Sequence, residues 1–126
     1  VVLDPPYQGP HSGRTTALSH GLHARYKQQV ARTQQALVRM YVDGATEALR
    51  VLRAKGTLII KCQDQVDGTR NRLTHVDIVN EYERLGLRCE DLFVVVQRGK
   101  PPVTGVWKTQ RHARKNHSYL LVFRRA

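Results

Sequence analysis

The chain has 126 residues, which is one domain at most, with a modest core, and is small for an enzyme that must hold both a cofactor and a polynucleotide. No apolar run is long enough to cross a bilayer and no signal peptide heads the sequence, so a cytoplasmic protein with no membrane partner is expected. Its 21 Lys and Arg against 10 Asp and Glu leave a formal net charge of +11, which points to a polyanionic partner.

The excess charge is uneven. Between Asp4 and Asp43 there is no acidic residue, and none follows Asp91, while Arg and Lys accumulate in both segments. Two acid-free basic stretches are what a phosphate-binding surface requires, although such runs are also common on solvated faces and tails. Cys62 and Cys89 sit in apolar, strand-like contexts that predict buried thiols in a reducing compartment.

The first element is the apolar run Val1-Val2-Leu3, which meets Pro5 and Pro6. Proline fixes φ and has no amide hydrogen, so a strand here ends at Asp4. The two prolines hold Asp4 and Tyr7 on either side of one turn, with carbonyls free to face outward. Open α/β sheets place their ligands at this carboxyl end of the strands. A carboxylate, a carbonyl and a phenol ring suit a planar ring bearing an amino group, because the two acceptors take its hydrogens while the aromatic face stacks. Held so, the nitrogen keeps its lone pair out of the ring and becomes a nucleophile without a strong base.

Val2-Leu3-Asp4-Pro5-Pro6-Tyr7 resembles the catalytic motif of the S-adenosylmethionine-dependent amino-methyltransferases that modify adenine, or less often cytosine, in nucleic acid. The aspartate form leans toward adenine. The resemblance implies that Asp4 and the Pro5 carbonyl accept the amine hydrogens, Pro6 fixes the turn and Tyr7 stacks on the extruded base.

Gln8 to about Gln28 reads as a long basic loop, either disordered or able to close over a substrate strand with Arg14, Arg25 and Lys27 on phosphates. From about Val30 to Lys55 apolar residues recur at helical spacing, and Gly56 is expected as the left-handed cap. Thr57 to Cys62 is a nearly continuous apolar run, predicting a parallel strand joined to the first by a right-handed crossover. Gln63 to Arg72 is expected to be a polar loop on the same rim as Asp4, bringing Lys61, Gln63 and Asp64 near it or leaving them an ordinary surface group. Thr74 is positioned to cap a second helix whose apolar face is Val76, Val79, Tyr82 and Leu85, ending at Gly86.

Leu92 to Val96 reads as the third strand, and Ser118 to Phe123 as a fourth that returns antiparallel. The connection between them contains Gly99, Pro101, Pro102 and Gly105 and cannot be a long helix. It carries Trp107, Lys108, Arg111, Arg114 and Lys115, candidates for nucleic-acid binding. Trp107 is placed to stack on a base or to pack over the hairpin. Asn116 and His117 either touch the flipped nucleotide or terminate the loop. The segment Lys115 to Phe123 is similar to the one that closes the methyltransferase sheet. The resemblance implies a last strand slipped between its predecessors, in the order first, second, fourth, third.

The expected fold class is therefore α/β, a partial Rossmann-like methyltransferase fold with a mixed sheet of about four strands and the last antiparallel. Residues 1–126 form a single domain in this reading, the catalytic, C-terminal half of the family's fold. A glycine-rich turn and a following acid that would hold S-adenosylmethionine are not in the sequence. No zinc spacing or other metal motif occurs. The only methionine is Met40, and the sequence begins inside an apolar strand, so the chain is expected to be part of a longer enzyme or half of a split one, inactive alone. A cofactor-binding half would pair along the bare edge of the first strand.

The expected function is methyl transfer from S-adenosylmethionine to an exocyclic amine in DNA, adenine before cytosine, with DNA preferred over RNA. Rival readings are an inactive nucleic-acid-binding relative, an RNA methyltransferase, or an enzyme methylating protein glutamine. That last class usually carries Asn where this chain has Asp4.

Overall fold

The structure is a computed structural model that describes residues 1–5, 31, 33–67, 69–99, 112–113 and 115–126. Its main sheet is built from β1 (Val2–Leu3), β2 (Thr57–Cys62), β5 (Leu87–Val96) and β6 (His117–Arg125). The strand order is β1-β2-β6-β5, with β1 parallel to β2 and β6 antiparallel to both β2 and β5. This is the order expected from the sequence, with the last strand between its predecessors.

Helix α1 (Gln34–Val51) and helix α2 (Thr74–Arg84) pack on one face of the sheet. Alternation along β2 explains which face. Leu58, Ile60 and Cys62 are buried, while Thr57, Ile59 and Lys61 are only half-buried. In register with the first set stand Phe123, Leu121 and Tyr119 of β6. Leu37, Tyr41, Ala45 and Ala48 of α1, with Ile78 and Tyr82 of α2, close over them. Burial of each large side chain contributes about 1.5–3 kcal/mol. Two phenols tie the layers together: Tyr82 Oη donates to the Tyr41 carbonyl at 2.8 Å, and Tyr41 Oη donates to the Lys61 carbonyl at 3.0 Å.

Several local expectations are corrected. Helix α1 is shorter than Val30 to Lys55 because Thr33 caps it, its hydroxyl accepting from the Ala36 amide at 3.0 Å, and Leu52 leaves the helix with ψ 122°. The left-handed residue after it is Lys55, with φ 59°, not Gly56. Gly56 is needed for space instead, since a Cβ there would lie 2.7 Å from the Arg53 carbonyl oxygen. Gly86 does end α2 with φ 84°. Thr74 is the first residue of α2 and its hydroxyl bonds Gln34, while Leu73 precedes it without a side-chain cap. Val76 is exposed and Ile78 takes the buried position, because the stripe follows Thr74, Ile78 and Tyr82.

Strand β5 begins at Leu87, earlier than Leu92, and carries an irregularity between Cys89 and Asp91. Its first half reads as polar because Arg88 and Glu90 pair with each other on its surface. Leu92 to Val96 stay exposed on this edge strand. Cys62 is buried and Cys89 only partly so. The expected polar loop after β2 is a second sheet, the antiparallel hairpin of β3 (Gln65–Asp67) and β4 (Arg70–Arg72). Among the described residues, no helix is long and apolar enough to cross a membrane.

Candidate active site

Strand β1 pairs Leu3 with Ile60, so Asp4 arrives next in register opposite Lys61 at the carboxyl end of both parallel strands. Leu3 packs toward α1 near Gly44, and alternation turns Asp4 to the other face. There Asp4 Oδ2 meets Lys61 Nζ at 3.3 Å, with the carboxylate half exposed. A pair this exposed contributes roughly 0–1 kcal/mol, so it orients the carboxylate without fixing it. Asp4 Oδ1 and the Pro5 carbonyl have no protein partner among the described residues. Among the described residues the corner thus presents two acceptors without partners at the rim of the sheet.

A second group of side chains occupies the neighbouring rim, on the helix-covered face. Asp64 is 3% exposed and both of its oxygens are engaged. Oδ1 accepts from His75 Nδ1 at 2.7 Å and from the His75 amide at 3.3 Å, and Oδ2 accepts from Tyr119 Oη at 3.3 Å. A carboxylate only accepts, so His75 carries its proton on Nδ1 toward Asp64. Tyr119 in turn accepts from His117 Nε2 at 3.0 Å, and its ring stacks on His75 with centroids 4.2 Å apart. Asp64 therefore supplies, from the end of β2, the cap that Leu73 does not give α2, and places its charge at the positive end of that helix. Burial raises the Tyr119 phenol, and the Asp64 charge and hydrogen bond add to it. The buried Cys62 thiol is pushed up to about 12 by burial, with the Asp64 charge adding.

The sequence singled out Asp64 and His117 but missed His75 and Tyr119. The signal for them is a short polar stretch with a buried acid at one end and a histidine just inside a helix start at the other. Gln63 also anchors the rim, its Nε2 donating to the His117 carbonyl at 2.9 Å. Asn116 closes the ends of the connection, its Nδ2 donating to the carbonyls of Gln97 and Gly99, both at 3.1 Å. Of the expected nucleic-acid contacts, Lys115 is half-buried beside it. Pro6, Tyr7, Arg14, Arg25, Lys27, Trp107, Lys108, Arg111 and Arg114 lie outside the described residues, as does the expected loop from Gln8 to Gln28. Among the described residues no group of three or more His, Cys, Asp or Glu is placed to hold a metal ion.

No protein-family model matches the chain, and no curated protein does. Solved structures do. Three crystal structures of a Thermus thermophilus protein, provisionally assigned as a DNA modification methylase, align with 98% of this chain at 18% identity. The TM-score is 0.55 for the free protein and for its complex with S-adenosyl-L-methionine, and 0.51 for the selenomethionine derivative. This chain spans 43–44% of the length of those structures. The likeness shows a methyltransferase-like α/β fold.

Proposed function

We propose that this protein carries the amine-holding part of a DNA methyltransferase, which transfers a methyl group from S-adenosylmethionine to an exocyclic amine, adenine's in the first place. The observation that carries the reading is the corner at Asp4 and Pro5, two acceptors without protein partners among the described residues, set where β1 and β2 end together. Support comes from the strand order and from the likeness to a fold one of whose solved forms binds S-adenosyl-L-methionine. In this reading Asp4 Oδ1 and the Pro5 carbonyl take the two amine hydrogens, Lys61 orients the carboxylate, Pro6 fixes the turn and Tyr7 stacks on the extruded base. Arg14, Arg25, Lys27, Trp107, Lys108, Arg111, Arg114 and Lys115 hold the nucleic acid.

The cofactor, when bound, supplies the electrophilic methyl group. Among the described residues none fits its methionine part: Gly44, Gly56, Gly86 and Gly99 stand singly, and none forms a glycine-rich turn after a strand. In this reading residues 1–126 are the catalytic half of one domain, and a cofactor-binding half pairs along the edge of β1. The test is to incubate the intact protein with duplex DNA and labelled S-adenosylmethionine, then separate the nucleosides. Label in N6-methyladenine supports the reading in full; label in cytosine corrects the base; DNA binding with no label in any nucleoside favours an inactive relative.

A further inference from the structure

The hairpin β3–β4 belongs to neither layer of the fold. It leaves the carboxyl end of β2, on the rim where Asp4 sits, and rejoins the chain at the start of α2. Its register pairs Gln65 with Arg72, Val66 with Asn71 and Asp67 with Arg70, and Thr69, Arg70 and Asn71 at its outer end are exposed. A two-stranded ribbon of this length is marginal in water without support. Here the support is extensive. The residues that flank the ribbon, Asp64 and His75, are locked by the 2.7 Å bond and the shared amide contact, and Tyr119 holds Asp64 from the sheet. Gln65 Nε2 donates to the Gln63 carbonyl at 3.4 Å, and Gln63 is itself fastened to β6. At the outer end, His112 Nε2 donates to the Thr69 carbonyl at 2.9 Å, tying the ribbon to the basic connection between β5 and β6.

A buried acid, two histidines and a tyrosine are thus used to hold a short ribbon in place after the carboxyl end of β2, the rim on which Asp4 stands. Rigid mounting of exposed polar side chains is what a recognition element needs, because the ordering cost is met before the partner arrives. The major groove of B-DNA, about 12 Å wide, admits a two-stranded ribbon. The deep, narrow major groove of A-form RNA does not. We infer that the β3–β4 hairpin is a duplex-DNA contact that enters the major groove beside the target base, with Arg70 as its cation and Asn71 as its base-edge reader. The charge agrees: Arg70 and Arg72 outnumber the ribbon's one acid, Asp67, in a chain of net charge +11. Arginine and asparagine are the side chains whose paired groups match guanine and adenine edges. The inference rests on the DNA reading proposed above and adds to it the element that sets sequence preference.

The experiment is fluorescence anisotropy of the intact protein with a mixed-sequence DNA duplex, across a salt series, for wild type, Arg70→Ala, Asn71→Ala and Arg53→Ala. Arg53 is an exposed cation at the opposite end of the sheet, so its variant matches the charge change without touching the hairpin. The expected result is a loss of about tenfold for Arg70→Ala with a salt slope lower by about one, and little change for Arg53→Ala. Asn71→Ala is expected to narrow the spread of affinities across duplexes of different sequence. Equal, small effects of Arg70→Ala and Arg53→Ala on a wild type that binds would overturn the hairpin inference alone. A wild type that binds no duplex would overturn the DNA reading and the hairpin with it. Circular dichroism of each variant keeps a folding defect from passing as a binding defect.

Discussion

His75 donates its Nδ1 hydrogen to Asp64 at 2.7 Å, joining a residue just past β2 to one in the first turn of α2 and closing the base of the hairpin between them. The pair also supplies the start of α2 with the acceptor that its own sequence lacks.

Asp64→Asn is therefore expected to cost about 1–3 kcal/mol, because an amide placed on Oδ1 or Oδ2 turns a donor toward His75 or Tyr119. Urea denaturation measures it. Asp43→Asn is the matched control: its exposed pair with Arg39 at 2.9 Å is expected to change stability by less than about 0.5 kcal/mol.

Stability should fall in alkali. Burial pushes the Cys62 thiol from 9.0 up to about 12, and raises the Tyr82 phenol from 10.0, with the Cys62 charge adding. Above these ordinary values the unfolded chain gives up protons that the folded chain keeps, so the unfolded state is favoured as pH rises. The contribution is fully present below pH 9.0 and is lost toward about pH 12. The slope approaches about 1.4 kcal/mol per pH unit for each such group. Denaturation in this range should show the decline for wild type and a shallower one for Cys62→Ala.

The two helix-end glycines should fail in different ways when changed to alanine. At Gly86 nothing lies within 4 Å of a new Cβ, so the cost is the φ of 84° alone, about 1–2 kcal/mol. At Gly56 the Cβ would meet the Arg53 carbonyl oxygen at 2.7 Å and Leu52 Cγ at 2.8 Å, so the turn into β2 must shift. Gly56→Ala is expected to be the more destabilising of the two by thermal unfolding.

The sheet was legible because its signals are local: an apolar run stopped by two prolines, a continuous run from Thr57 to Cys62, and a closing run from Ser118 to Phe123. The first half of β5 was not, since Arg88, Glu90 and Asp91 hide a strand whose pairing with β6 is decided across the sheet. The hairpin was hidden for the same reason, its stability coming from Asp64, His75 and Tyr119, which are far apart in sequence. At the candidate active site the sequence singled out Asp4 as a candidate and placed Lys61 near the rim. That Lys61 reaches Asp4 is a consequence of register between β1 and β2, which no single stretch of sequence displays.

The most direct test of the account is methyl transfer to duplex DNA by the intact protein and its Asp4→Ala variant, with DNA affinity measured in parallel. Loss of most turnover with affinity nearly unchanged is the predicted result, because in the proposed reading Asp4 holds the reacting amine and not the phosphates. Undiminished turnover in the variant, or lost affinity with normal turnover, would contradict it.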